Sequence, residues 1–236
     1  MPSTKRPTLK SRARSQLWNK YQQRGRHNSN LWLYYSPKTE RDWIVSSDDA
    51  LRHALWLEAS PEVIRFDLNP QEIIVNVGVD AHKAQFDAVV WYRDGSPEAR
   101  EVKAVADEAN SKNTRTLHQR EAQQAAARQI GANRRVITSV DMQPHAMLIA
   151  NWWRVVAFIA ATRDYPMGEM QQSAALKLHA LPDTTLGQLM DKVVSSDRPA
   201  FLSAVFRLHQ QGLYKTDLDS APLSLSTHIW RAGVTK

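Results

Sequence analysis

Three side chains in the stretch FDAVVWYRDGSPEAREVKAV, residues 86–105, have types and spacing that could do chemistry: Asp87 in a first apolar run, Glu101 and Lys103 in a second. Side chains alternate between the faces of a strand, so Glu101 and Lys103 project from one face while Val102 faces the other. The intervening Arg93, Asp94, Gly95, Ser96 and Pro97 carry turn chemistry that closes a hairpin and can bring Asp87 to that same face. An acid followed at a distance by E-x-K is the arrangement of a metal-dependent nuclease. Two carboxylates hold Mg²⁺, a hard cation that prefers oxygen, and the ammonium orients the attacking water or neutralises a phosphate. An E-x-K also arises as a solvated pair on a strand edge, so the flanks must decide.

Those flanks supply the elements that would position the three side chains. Residues 46–59 have helical periodicity, with Ser47 or Asp48 as cap, Leu51, Ala54, Leu55 and Leu57 on the apolar side, and Ser60-Pro61 as the stop. Residues 63–66 and 72–77 read as short strands. Beyond the hairpin, 114–130 is a helix rich in Ala, Gln and Arg that ends at Gly131; 135–140 is a strand and 144–162 a strongly apolar helix. A sheet flanked by such helices is an α/β sandwich. After Pro166 the pieces are smaller: helices near 169–179, 185–195 and 198–211, then strands near 213–218 and 223–227, the order of a winged helix-turn-helix. The expected organisation is a basic arm over 1–42, a catalytic domain over 43–165 and a C-terminal domain over 166–236.

Composition narrows the partners. The 236-residue chain is 42% hydrophobic, enough for a sizeable core, and its formal charge of +7 favours an anionic partner. Much of the excess lies in the first 42 residues, where Arg12, Arg14, Arg24 and Arg26 are spaced among aromatics such as Trp18 and Tyr21. Such an arm can follow DNA through phosphate contacts or serve as a solubilising tail. Lys112 is a candidate DNA contact, and Arg115, Arg120 and Arg128 of the Ala-rich helix could line a DNA cleft or a solvated face. Cysteine is absent, which excludes disulfides and zinc–thiolate sites and fits a reducing cytoplasm. With no apolar leader and no run of spanning length, a soluble protein without membrane association is expected.

Four stretches together resemble the TnsA-type endonuclease subunit of heteromeric, transposon-encoded transposases: LEASPEV (57–63), FDAVVW (86–91), EVK (101–103) and LHQQGLYKTDLDSAPLSLST (208–227). The last is the most specific, and the resemblance covers about residues 45–230. It implies a restriction-endonuclease-like core of the PD-(D/E)xK type followed by an α+β winged-helix C-terminal domain. It also implies that Asp87 and Glu101 are the Mg²⁺ ligands, with Mn²⁺ as a substitute, and that Lys103 is the motif lysine. The family's catalytic Glu in the first helix stands eight residues before the position of Glu58, and here that residue is Ala50. Asp49, or Asp48, is the nearest carboxylate that could serve, although both also suit a helix cap.

What the resemblance implies for function is hydrolysis of DNA at transposon ends. The 5′ strands would be nicked beside a DDE-type transposase that cuts the other strand, with the C-terminal domain contacting an AAA+ transposition regulator. A bacterial cytoplasmic, nucleoid-associated location follows. Ala50 keeps open a second expectation, a catalytically weakened or inactive assembly subunit on the same fold. A stand-alone restriction-like nuclease is the third, and the C-terminal match argues against it.

Overall fold

Hydrogen bonds between four strands hold the acidic hairpin at the centre of the chain. The computed structural model describes residues 30–103 and 114–233, with the side chains of 114–116 outside the description. The protein is mixed α/β. A sheet in the order β3-β6-β7-β8 is formed by β3 (Val63–Asp67), β6 (Ala88–Tyr92), β7 (Pro97–Val102) and β8 (Asn133–Ile137). Its first two pairings are antiparallel and β7 pairs with β8 in parallel. Two further hairpins flank it, β1 (Trp32–Ser36) with β2 (Arg41–Val45), and β4 (Ile73–Val77) with β5 (Asp80–Ala84).

Helices cover both faces of this sheet. α1 (Asp48–Ala59) and α4 (Ala146–Ala161) bury Leu55, Leu57, Trp152, Val155 and Ile159 in one cluster with Ala88, Val90 and Ile137 of the strands. α2 (Thr114–Gln129) packs on the other side, where Ala122, Ala126 and Ala127 meet Val75, Ala84, Phe86 and Ala99. Small side chains explain that closeness: a stripe of alanines lets the helix approach β4 and β5 without a large apolar moment. A short α3 (Ser139–Met142) connects β8 to α4.

The C-terminal part is built from α5 (Met167–Ala180), β9 (Asp183–Thr185), α6 (Leu186–Met190), α7 (Arg198–Gln210), β10 (Tyr214–Thr216) and β11 (His228–Arg231). Its antiparallel sheet runs β10-β11-β9. Leu178, Leu189, Phe201, Val205, Tyr214 and Ile229 form its own core. Phe206 and Leu218 belong to the first cluster instead, so the two parts share packing.

Asn151 of α4 is the polar link between them. Its Nδ2 donates to Leu218 O and Ala221 O, both at 2.8 Å, and its Oδ1 accepts from Leu223 N at 2.8 Å. Asn151→Ala strands one buried and two partly buried backbone groups, and a loss of about 2–4 kcal/mol is expected in urea unfolding. A change under ~1 kcal/mol in that titration would show that the loop re-forms its hydrogen bonds elsewhere.

Several elements differ from the sequence expectations. The basic arm does not extend to 42: β1 and β2 form a hairpin in which Tyr34 faces Trp43 across the strands, both buried. What reads as scattered aromatics is a period-two pattern on a half-buried hairpin. Residues 80–84, DAHKA, lack the usual strand formers but pair with β4 through a turn whose first central residue, Gly78, has φ 64°. The strand expected over 135–140 ends at Ile137, because Asp141 turns back to accept from Thr138 N and Oγ1 at 2.8 and 2.7 Å and starts α3. The helix expected over 185–195 stops at Met190. The strand expected over 223–227 is a loop held by Asn151, and the last strand begins at His228.

Candidate functional site

Register brings the three chemistry-bearing residues together. The β6–β7 turn is closed by Asp94, whose Oδ1 accepts from Ser96 N (2.9 Å) and Oγ (2.7 Å), with Gly95 at φ 86°. Ala88 pairs with Arg100, so Asp87 lies opposite Glu101 on the face that also carries Lys103. Asp87 N donates to Arg100 O at 2.9 Å, and Asp87 Oδ2 accepts from Val102 N at 2.8 Å. Lys103 Nζ lies 2.7 Å from Glu101 Oε2. Lys103 N in turn donates to Ile137 O at 2.9 Å, which continues the ladder to β8.

The surroundings treat the two carboxylates differently. Glu101 is only 3% exposed, whereas Asp87 keeps access to solvent. Asp87's carboxyl pKa is raised, first by the crowding of protein around it and then by Glu101; Val102 N–H and Lys103 oppose the rise. Exposure limits how much this can weigh on stability.

A fourth member comes from β8. Glu101 pairs with Val136, so Arg134, two residues back, shares its face. Arg134 Nε and Nη2 lie 2.8 and 2.7 Å from Glu101 Oε1, and Nη2 also donates to Gln123 Oε1 of α2 at 3.2 Å. Both oxygens of Glu101 are thus held by cations. Sequence reasoning missed Arg134; its only local signal is a cation at an alternate position of an otherwise short strand, NRRVI.

Asp49 is not part of this group. α1 covers the opposite face, where His53 Nε2 lies 3.1 Å from Arg100 Nη1, and Asp49 Oδ1 pairs with Arg52 at 3.2 Å. Ser47, not Asp48, caps the helix, its Oγ accepting from Ala50 N at 3.0 Å. Asp48 Oδ1 instead accepts from Asn30 Nδ2 and Trp32 Nε1, each at 2.9 Å. It stands at the rim of a mainly apolar cavity of about 800 Å³ between α1, α3 and α4, with Leu51, Met142, Ile149 and Trp153 in its wall and none of Asp87, Glu101 or Lys103.

Arg12, Arg14, Arg24, Arg26 and Lys112 lie outside the described residues, as does the side chain of Arg115. In the C-terminal part Arg198 and Lys215 are exposed, but Arg207 is mostly covered and stands 3.9 Å from Glu40. Glu58 is structural, fully buried and bonded through Oε2 to Gln210 Nε2 at 2.8 Å. His145 stacks on Trp56, with ring centroids 4.7 Å apart.

The reverse face of the hairpin carries a polar cluster that also escaped the sequence reading. Arg100 pairs with Glu98 at 3.2 Å, donates to Tyr92 Oη, and meets His53. Arginine can only donate, so His53 Nε2 accepts and the proton sits on Nδ1. Burial, then Arg100 and Arg135, pull the His53 pKa down to about 3. A depressed histidine contributes stability that is full above its unfolded value near 6.5 and is lost as pH falls toward 3. In His53→Gln the acid limb of a stability–pH profile should flatten by about 1.4 kcal/mol per pH unit between roughly pH 4 and 6; parallel limbs would rule the titration out.

The donor types suit a hard divalent cation: two carboxylates from paired strands, with an ammonium beside them. Two carboxylates are a usual protein share for Mg²⁺ when a substrate phosphate and water complete its shell; among the described residues no cluster of three or more His, Cys, Asp or Glu side chains is placed to hold a metal. Among the same residues no helix is long and apolar enough to cross a membrane. No protein-family model matches the chain, and no curated protein is significantly similar to it.

Proposed function

We infer that this chain is a metal-dependent DNA endonuclease subunit of a transposase, hydrolysing the 5′ strands at transposon ends. The observation that carries the reading is the register of β6 and β7, which sets Asp87 against Glu101 with Lys103 on the same face. Asp87 and Glu101 would hold Mg²⁺ or Mn²⁺, which when bound polarises a phosphate and acidifies water. The protein's own part is to present an accessible carboxylate, fix it by Val102 N–H, and hold an ammonium where negative charge gathers.

Sheet order further supports a PD-(D/E)xK core, with an antiparallel hairpin carrying the acids, a parallel β8 and helices on both faces. The order α5, β9, α6, α7, β10, β11, with β11 central in its sheet, supports a winged helix as the C-terminal domain. Its exposed Arg198 and Lys215 suit an anionic partner, DNA or an acidic face of an AAA+ regulator. A bacterial cytoplasmic protein working at the nucleoid, with a DDE-type transposase on the complementary strand, completes the reading.

Ala50 and the two cations on Glu101 favour a second reading, a non-cleaving DNA-binding and assembly subunit on the same fold. Reconstitution of mini-transposon excision with the cognate transposase and regulator separates the two. Mapping of 5′ ends should show nicks with Mg²⁺ that vanish in EDTA. Assembly on DNA with uncut 5′ strands in both conditions would establish the second reading.

A further inference from the structure

Arg134 is the one member of the acidic group to which neither the E-x-K pattern nor the proposed hydrolysis assigns a role. Charges within the group balance: Asp87 and Glu101 contribute two negative charges, Lys103 and Arg134 two positive ones, all at hydrogen-bond range of Glu101 or one strand away. Glu101 is nearly inaccessible, with Lys103 on Oε2 and Arg134 on Oε1. A divalent ion entering this group meets no net negative charge and finds one of its two carboxylates already taken. Coulomb repulsion from the guanidinium then weighs against entry.

The arrangement has a natural release. An arginine fork suits a phosphate as well as a carboxylate. Arg134 is anchored to the protein, beyond Glu101, only through Gln123 among the described residues, at 3.2 Å. Its side chain retains 14% exposure. A DNA phosphodiester at the site would supply a negative charge that competes for the guanidinium. Once Arg134 turns to it, Glu101 regains one oxygen and the remaining protein charges sum to −1, which favours a divalent cation.

Resting on the nuclease reading of Asp87, Glu101 and Lys103, we propose that Arg134 is a positioning residue that withholds Glu101 from divalent metal until a DNA phosphate draws its guanidinium away. Metal and DNA then bind cooperatively, and linkage requires each to tighten the other by the same factor. Premature cleavage is suppressed because the free protein is a poor metal binder.

Mn²⁺ binding to the full chain, followed by the electron paramagnetic resonance of free Mn²⁺, tests this without any turnover. Measurements are made with and without a phosphorothioate duplex that resists hydrolysis. Wild type should bind Mn²⁺ weakly alone and on the order of tenfold more tightly with the duplex. Arg134→Gln should bind it alone as tightly as wild type does with DNA, and lose the dependence; Arg134→Lys, which keeps the charge, should remain weak. Gln123→Ala, which loosens the guanidinium but leaves the ion pair, should tighten Mn²⁺ binding in the same direction by a smaller factor, and it decides the matter if Arg134→Gln does not fold.

Asp87→Asn is the control for the underlying site. If it abolishes Mn²⁺ binding while the Arg134 and Gln123 variants bind no more tightly than wild type, Arg134 is merely structural and the nuclease site stands. Mn²⁺ binding indifferent to both Asp87→Asn and Glu101→Gln would overturn the site and the role of Arg134 with it.

Discussion

Asp87→Asn is expected to lower 5′-strand nicking by about a thousandfold or more, and to leave the protein as stable at pH 7 as it was, or slightly more so. The two halves have one cause. Its carboxylate is the accessible member of the acid pair, and surrounding protein together with Glu101 raises its pKa. A carboxylate with a raised folded pKa contributes stability that is full below the unfolded value and is lost as pH rises through the folded one. The ionised form of Asp87 is thus the costlier one in the folded protein, and asparagine removes that cost while its Oδ1 can still accept from Val102 N. At pH 3 the advantage should disappear. Thermal melts at the two pH values, beside 5′-end mapping in the reconstituted reaction, give both numbers. A variant that nicks at the wild-type rate would end the catalytic assignment; one that loses nicking only because it melts would leave it unsupported. On the proposed reading Lys103→Met should lose nicking to a similar degree, since it removes the ammonium held 2.7 Å from Glu101 Oε2.

Lys38→Met should be the most destabilising single change to a polar residue, costing about 3–5 kcal/mol. Lys38 Nζ donates to Leu57 O at 2.7 Å, to Val63 O at 2.6 Å and to Ser60 O, and so satisfies two carbonyls at the C-terminal end of α1 and one at the start of β3. It also faces Glu58, which is wholly buried between the first hairpin and α7. Burial pushes Glu58 up to about 7, and burial pulls Lys38 down to about 7. Glu58 thus contributes stability below its unfolded value that is lost as pH rises through 7, and Lys38 contributes stability at high pH that is lost as pH falls through 7.

Methionine in place of Lys38 leaves Glu58 without its counter-charge, and the damage should be greater at pH 8 than at pH 5, where Glu58 can take a proton. Lys38→Met combined with Glu58→Gln should regain part of the loss, because the uncompensated charge is gone. For a chain of this length a loss of about 4 kcal/mol lowers the melting midpoint by roughly 8–16 °C. Equal losses at pH 5 and pH 8, with no recovery in the double variant, would assign the whole effect to the three carbonyls.

How much of the site was legible in the sequence depends on how local its determinants are. Asp87, Glu101 and Lys103 follow from alternation and a turn: period two decides the face, and Asp94, Gly95 and Ser96 decide where the chain reverses. The same physics made 114–130 and 144–162 readable as helices. Asp49 failed as a member of the group although it stands one residue from Ala50. Its helix covers the other face of the sheet, and nothing in residues 46–59 states which face that is. Lys38 and Glu58 were beyond reach for the same reason, since 20 residues and two elements separate partners that meet only when the hairpin closes over α1.

By itself, then, the sequence determined the strand–turn–strand unit with its acids and lysine, the long helices near 46–59, 114–130 and 144–162, and the excess of positive charge. Near-neighbour sterics and hydrogen bonds govern the first two, and composition alone the third. Only the tertiary structure decided that Arg134 meets Glu101, through the parallel pairing of β7 and β8, and that Asp49 does not meet Asp87. Contacts of that kind depend on strand order and on which face each helix buries, and those are settled by the packing of the whole chain.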